Sequence, residues 1–446
     1  MKLFNTLTHQ KEEFKPISGM NVKLYTCGPT VYDLVHIGNL RAYIFNDLLK
    51  RTLVSNGYEV NHVMNITDVD DKTIKRAEGE LERFKTLTKE FEDKCWSDLK
   101  ELNILPPTTI TRATEYIDKI VDFIADLMKK GFAYKTTDGS IYFSIAKFKD
   151  YGKLSNLENR ELRTGARVDQ DEYDKENPAD FALWKAWDEK DGEVFWETNL
   201  GKGRPGWSIE CSVMSTDALG STIDIHTGGV DLIFPHHENE IAQSEAKTGK
   251  KFVNYWLHNE HLLVDGRKMS KSLNNFYTLA DIENRGFSPL DFRYFMFGAH
   301  YRSKLNFTWD GLESARNARE KLKRFALANQ AETGEACQIY TKNFMSKLND
   351  DLATPEALAV VWELVKDDQK SLGKKIATLR KFDAEILGFG LFDEDKIPVE
   401  IIALAERRKT ARIEKDFASS DKLRQEIIDK GWMIEDLNDN QYKIVK

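Results

Sequence analysis

Apolar and polar positions alternate from Asn21 onward. Val22, Leu24 and Thr26 point one way and Lys23, Tyr25 and Cys27 the other, which predicts a strand that "CGP" at 27–29 ends. From Asn39 to about Ser55 the period lengthens. Leu40, Ile44 and Leu48 share one helical face, and Gly57 marks a stop. "YEVNHVMNITD" (58–68) reads as the next strand, with a helix from about Asp70. Strand, helix and strand at this spacing predict an α/β fold with a parallel sheet and right-handed crossovers.

That rhythm breaks from about 106 to 200, where "PP", a helical "TEYIDKIVDFIADLMKKG", a hairpin-like "GSIYFSIAKF" and an acidic polar stretch predict an insertion. It returns at "STIDIHTGG" (221–229), with Ile223 and Ile225 facing one way and Asp224 and His226 the other. Beyond about 310, Leu312, Ala315, Leu322 and Phe325 form one apolar stripe and "ALAVVWELV" (357–365) another, so an all-α region is expected. "FDEDKIPVE" (392–400) separates it from a last small unit that carries Trp432.

The expected division is 1–105 for the first half of an α/β domain, 106–200 for the insertion and 201–260 for the second half. Residues 261–310 form a loop-bearing region, 311–395 a helical bundle and 396–446 the terminal unit.

Composition narrows the class. At 446 residues, 41% hydrophobic and 31% charged, the chain reads as a soluble globular protein of several domains. Its start shows no apolar run of a leader, and no stretch approaches the roughly 20 apolar residues of a membrane span. Four cysteines, Cys27, Cys95, Cys211 and Cys337, lie too far apart for a disulfide framework. A cytoplasmic, membrane-free protein with reduced thiols is expected. A net charge of −8 argues against general nucleic-acid binding but leaves room for a local basic face.

Three groups of residues carry candidate chemistry. In "HIGN" (36–39), His36, Gly38 and Asn39 sit where a strand turns into a helix, and unpaired N–H groups at a helix start favour anions. "KMSKS" (268–272) puts Lys268 and Lys271 on one loop, two point charges suited to phosphate. The pair has the order and setting expected for adenylate transfer, where the leaving pyrophosphate gains charge. The third group is a candidate tetrahedral Zn²⁺ site. Cys27 ends the first strand, Cys211 follows "GRPGWSIE", and His236 and Glu240 lie at i, i+4 on a helix opened by Pro235. His237 is a rival ligand, turned about 100° from His236 on a regular helix.

Long stretches such as "YTCGPTVYDLVHIGN", "NITDVDDKTIKRA", "GRPGWSIECSVMS", "DIHTGGVDLIFPHHENEIAQSEA", "KMSKSLNNF", "HYRSKLNF" and "DDLATPEAL" resemble, in order and nearly end to end, the cysteinyl-tRNA synthetase family of class I aminoacyl-tRNA synthetases. The resemblance implies a Rossmann-like catalytic domain, a bundle and an anticodon-binding terminal unit. It implies a ligase that activates L-cysteine with Mg²⁺-ATP to the adenylate and transfers it to the terminal ribose of tRNA(Cys). It also implies one Zn²⁺ per chain, held by Cys27, Cys211, His236 and Glu240 and recognising the substrate thiol. His36, Gly38, Asn39, Lys268 and Lys271 would serve ATP, and the chain is expected to be a monomer. Around the substrate, Trp207 would form the pocket floor, Asp231 would meet the ammonium, and Thr67 and His226 would line the wall. Asn39, Ser208 and Asn274 depart from the family's His, His and Gly. A basic stripe, Arg407, Arg408, Lys409, Arg412 and Lys415, suits phosphate contacts, and Trp432 is expected to stack a base.

Overall fold

In the computed structural model, which describes residues 1–156, 179–269, 275–394, 399–437 and 441–445, the alternating segments pair as expected. The strands are β1 (Asn21–Thr26), β2 (Glu59–Ile66), β3 (Thr109–Arg112), β4 (Ile223–Gly229) and β5 (Val253–Asn259). They form one sheet in the order β5-β4-β1-β2-β3, and every neighbouring pair is parallel. Helix α1 (Ile37–Ser55) links β1 to β2, and α2 (Leu81–Glu101) leads on to β3. The strand β3 lies inside the stretch expected as an insertion and completes the sheet instead.

What is inserted is a second, antiparallel sheet. Its strands, in spatial order, are Ala133–Lys135, Ile141–Phe143, Phe181–Ala186, Gly201–Pro205 and Trp196–Thr198. The acidic polar stretch falls largely at 157–178, outside the described residues. Helix α3 (Ile117–Lys129) packs with α4 (Trp207–Leu219) and α5 (Glu238–Thr248), joining the insertion to the main sheet.

The strand order reverses between β1 and β4. The chain leaves β1 toward β2 and β3 and later fills the other side with β4 and β5. A crevice at the carboxyl ends of strands that part in this way is where open α/β sheets bind ligands. Both faces of β4 are covered, as in parallel sheets generally. Its polar side chains are therefore satisfied inside: Asp224 accepts from the Ile17 and Lys23 N–H groups at 2.6 and 2.8 Å.

Helix α6 (Pro289–Phe297) comes before 310, and past it the all-α expectation holds through α7 (Trp309–Ala328), α8 (Gln338–Leu348), α9 (Thr354–Lys366) and α10 (Leu372–Phe382), as far as the hairpin of the last unit. Leu312, Ala315 and Leu322 are buried there, with Phe325 packed at the edge. Phe344 and Phe382 stack at 4.0 Å. Bundle and sheet share one core, and a buried ionic knot ties them. Asp47 of α1 accepts from Arg51 Nε at 2.8 Å, from Leu105 N at 2.8 Å and from Arg293 of α6. Arg293 also donates to Leu387 O at 2.6 Å, and Arg51 to Asn103 O at 2.7 Å.

The last unit pairs α11 (Val399–Ile413) and α12 (Phe417–Asp429) with a hairpin of Met433–Asp436 and Tyr442–Val445. Two sequence expectations fail here. Trp432 is 6% exposed and packs with Leu404, Leu423, Ile427 and Ile434, so it builds the core and offers no face to a base. Arg408 is likewise buried and forms a two-pronged pair with Asp436 at 2.7 and 3.0 Å, which Arg412 joins. Arg407 and Lys415 stay exposed and Lys409 half-exposed, so the basic stripe is thinner than the sequence suggests. No described helix is long and apolar enough to cross a membrane.

Candidate functional site

Cys27 leaves the end of β1 beside β4, its N–H pointing to Thr227 O at 3.4 Å. The next residue must be small: a Cβ on Gly28 would lie 1.7 Å from the Asn65 carbonyl oxygen. Helix α4 starts at Trp207 and brings Cys211 inward one turn later. Before α5 the chain makes a kinked turn over Ile233–His237, with Phe234 extended, so the regular helix begins only at Glu238 and not at Pro235. His236 and Glu240 nevertheless share a face, with Nε2 3.1 Å from Oε1.

The ligand atoms of Cys27, Cys211, His236 and Glu240 all lie within 4.8 Å of one another. Cys211, His236 and Glu240 are buried, and Cys27 partly so. Two sulfurs, an imidazole and a carboxylate at this spacing fit a tetrahedral zinc site. Glu240 Oε1 is fully buried and has no hydrogen bond of good geometry, a place for a cation.

The four groups shift one another. A hydrogen bond shared with Cys27, together with burial, holds the Cys211 thiol well above its usual range. Its bond to Cys211 pulls Cys27 down, but burial and Glu240 outweigh it and leave that thiol raised. Burial works against charge on His236, yet Cys211 and Glu240 raise it to about 10. Burial likewise opposes ionisation of Glu240, but His226 and His236 hold it at about 2.

His237 is not turned away as a regular helix predicted. Cys211 on α4 lies against His236, while Cys27 at the end of β1 lies 3.5 Å from His237 Nε2. The site sits in a corner between two elements, so neighbouring histidines each meet a different sulfur. His226 lies beneath, fully buried, with Nε2 3.0 Å from Glu240 Oε2 and its ring stacked on Trp256 at 4.6 Å. Thr67 is buried too, accepting from Asn65 Nδ2 at 3.1 Å while its N–H bonds Pro29 O. Trp207 is no core residue: it is 42% exposed and its ring lies 4.2 Å from that of His236. Asp231 is exposed in a short turn after β4 and raises the Cys27 pKa, which places its charge near the sulfurs. Sequence reasoning missed His258, whose Nε2 is 2.8 Å from His237 Nδ1, and Glu210, fully buried with both carboxylate oxygens unpartnered. The period-2 spacing of Trp256 and His258 on β5 was the available signal for the first.

The start of α1 lies on the same crevice. His36 is its cap: Nδ1 accepts from Gly38 N at 3.1 Å and Asn39 N at 3.2 Å, and Asn39 Oδ1 accepts from His36 N at 3.2 Å. Ile37 N donates to Tyr277 O at 2.9 Å. The expectation that open backbone donors bind an anion is thereby corrected, because these groups are already used within the chain.

The two lysine-loop ends come to the same place. Met269 packs over Gly38, where a Cβ would lie 2.4 Å from its Cε, and the Phe276 ring lies 4.9 Å from that of His36. Asn275 Nδ2 donates to Lys268 O at 3.1 Å. Lys268 is exposed; Lys271 and Asn274 lie outside the described residues.

Comparisons with known proteins agree with this layout. The family model "tRNA synthetases class I (C) catalytic domain" matches residues 13–317, and that of the "DALR domain" matches 343–392. A Chlamydia muridarum protein named "Cysteine--tRNA ligase" is 46% identical over 463 residues, covering 97% of each chain. One of the same name from Protochlamydia amoebophila is 46% identical over 459 residues, covering 98% of this chain and 96% of its own. Among solved structures, Mycobacterium tuberculosis methionyl-tRNA synthetase with methionyl-adenylate superposes with a TM-score of 0.61 at 13% identity, over 84% of this chain and 93% of its own. An Agrobacterium radiobacter leucyl-tRNA synthetase ternary complex gives 0.62 at 11% identity, over 86% of both chains. At such identities the structures speak for the fold alone.

Proposed function

Because the chain belongs to the cysteine–tRNA ligase family of class I aminoacyl-tRNA synthetases, we propose how its own residues divide that ligase's work. The activity is cysteine–tRNA ligation. In the first half, the carboxylate of L-cysteine attacks the α-phosphorus of Mg²⁺-ATP; a new P–O bond forms and pyrophosphate leaves. In the second, a hydroxyl of the terminal ribose of tRNA(Cys) takes the acyl group and AMP leaves.

The side chains of His36 and Asn39, with Lys268 and Lys271, carry the charge of the triphosphate. Backbone donors at the start of α1 are not part of this, being capped. Gly38 keeps that floor low and lets Met269 close over it. The second signature reaches the first through Tyr277, whose carbonyl holds the first N–H of α1.

Cysteine lies at the mouth of the switch-point crevice. Trp207, half-exposed beside His236, covers the side chain, and Asp231 meets the ammonium. Thr67 and His226, both buried, shape the wall from behind without facing the substrate. Cys27, Cys211, His236 and Glu240 would hold the zinc ion. When bound, zinc supplies a ligand position that a thiol fills well and a hydroxyl poorly, so cysteine is separated from serine without a larger pocket. An apolar pocket alone would separate such near-isosteres only about 10–200-fold. The terminal unit and bundle meet the tRNA, with Arg407, Lys409 and Lys415 as phosphate contacts.

The observation that carries this reading is the gathering of those four ligand atoms within 4.8 Å at the carboxyl ends of β1 and β4. Cysteine-dependent exchange of pyrophosphate with ATP, followed by charging of purified tRNA(Cys), tests it. Lys271→Ala is expected to slow exchange far more than it weakens cysteine binding. No exchange by zinc-loaded wild-type protein would overturn the assignment of roles. Sedimentation is expected to show a monomer.

A further inference from the structure

Two histidines near the sulfurs remain once the first donor set is assigned. His237 Nε2 is 3.5 Å from Cys27 Sγ and 4.0 Å from Glu240 Oε1. His226 Nε2 is 3.0 Å from Glu240 Oε2. With Cys27 and Glu240 they form a second group whose ligand atoms also lie within 4.8 Å of one another. His226, His237 and Glu240 are each 0% exposed. The two groups share Cys27 and Glu240, so an ion in one draws on ligands of the other.

The second pair of imidazoles is the better braced. A histidine that ligates a metal normally gives its other ring N–H to an acceptor, which fixes the tautomer and aims the lone pair. His237 Nδ1 is 2.8 Å from His258 Nε2, and His258 Nδ1 is 2.8 Å from Thr6 Oγ1. With the His258 proton on Nδ1, its Nε2 accepts from His237 Nδ1–H, and the lone pair of His237 Nε2 is left facing Cys27. His226 Nδ1 has the Thr227 carbonyl 3.3 Å away as its acceptor. Trp256 backs both rings, at 4.6 Å from His226 and 4.9 Å from His237. His236, by contrast, has a buried Nδ1 with no hydrogen-bond partner.

We propose that Cys27, His226, His237 and Glu240 form a second seat for a divalent ion, deeper than the first and mutually exclusive with it. It rests on the first seat only in sharing two of its ligands. One thiolate, two imidazoles and a carboxylate suit borderline ions such as cobalt(II), nickel(II), iron(II) or zinc(II), whereas the two-thiolate seat favours softer binding. An ion in the deeper seat leaves Cys211 and His236 without metal. The two seats therefore differ in how many sulfurs touch the ion, and absorption spectroscopy reads that number directly.

Cobalt(II) titration of the full chain, followed by visible and near-ultraviolet absorption, tests the proposal. Wild-type protein is expected to bind one equivalent with charge-transfer absorption from two thiolates. The double variant Cys211→Ala/His236→Ala removes both ligands exclusive to the first seat. It is expected still to bind one equivalent, tetrahedrally, with roughly half that thiolate absorption. Adding His237→Gln should then weaken cobalt binding at least about tenfold. If circular dichroism shows the double variant unfolded, Cys211→Ser/His236→Gln takes its place. Loss of binding in the folded double variant, with wild type still binding, overturns the second seat and leaves the first standing. Binding unchanged by His237→Gln overturns its ligand set. No binding by wild type overturns both seats.

Discussion

Gly38 decides how closely two signatures meet. A methyl there would sit 2.4 Å from Met269 Cε, which can swing aside, but also 2.9 Å from His36 Cε1, which cannot move without breaking the cap. Gly38→Ala is expected to cost about 1 kcal/mol of stability through the lost cap and to raise KM for ATP more than KM for cysteine. Thermal unfolding and pyrophosphate exchange at varied ATP check both halves. Trp207 predicts the opposite split. Its ring is the exposed neighbour of His236, so Trp207→Ala should raise KM for cysteine by roughly tenfold and leave KM for ATP unchanged in the same assay. Cys211→Ser is expected to raise KM for cysteine in the same exchange assay while far-ultraviolet circular dichroism stays as in wild type. The four residues that gather within 4.8 Å were legible in the sequence because few residue types bind metal and two of them stood four residues apart. His258 was not, and His237 was seen only as a rival. Ranking His237 behind His236 took a regular helix and a single direction of approach for granted, and the corner between α4 and β1 supplies two.

At the scale of elements, long periodic segments announced themselves and short ones did not. β1, α1 and β2 are where alternation and helical period placed them. β3 is four residues of Thr, Ile, Thr and Arg, too brief to show a period, and it was lost in the insertion. The last unit shows how a charge pattern misleads. Arg408 looked like part of a solvent-facing stripe, yet it is buried against Asp436 because the hairpin folds back over α11. Hydrogen bonding to Arg408 holds the Asp436 carboxyl below the usual carboxylate range. A depressed acid stabilises the fold above its unfolded pKa, and that contribution is lost as pH falls through the folded one. The hairpin is thus expected to loosen only below about pH 4, seen as faster amide exchange at 433–436. Asp436→Asn should produce the same loosening at neutral pH.

For the molecule as a whole, α1 is the common member. Its first turn is held by Tyr277 at the crevice, and its buried Asp47 and Arg51 grip the helical side through Arg293 and Ala384 and the loop after α2 through Asn103. Asp47→Ala would strand two buried guanidinium groups and is expected to cost about 3–5 kcal/mol, measured by chemical denaturation. Nineteen residues at about 1.5 Å each make this helix roughly 28 Å long. The knot at its far end bears on where the chain can be cut. A cut at the 395–398 junction severs a unit with its own core of Ile401, Leu404, Leu423, Ile427 and Trp432, and should leave a soluble, adenylate-forming fragment that charges tRNA poorly. A cut before 338 would instead bare Arg51, Arg293 and the apolar flank they share, and the fragment should precipitate rather than work.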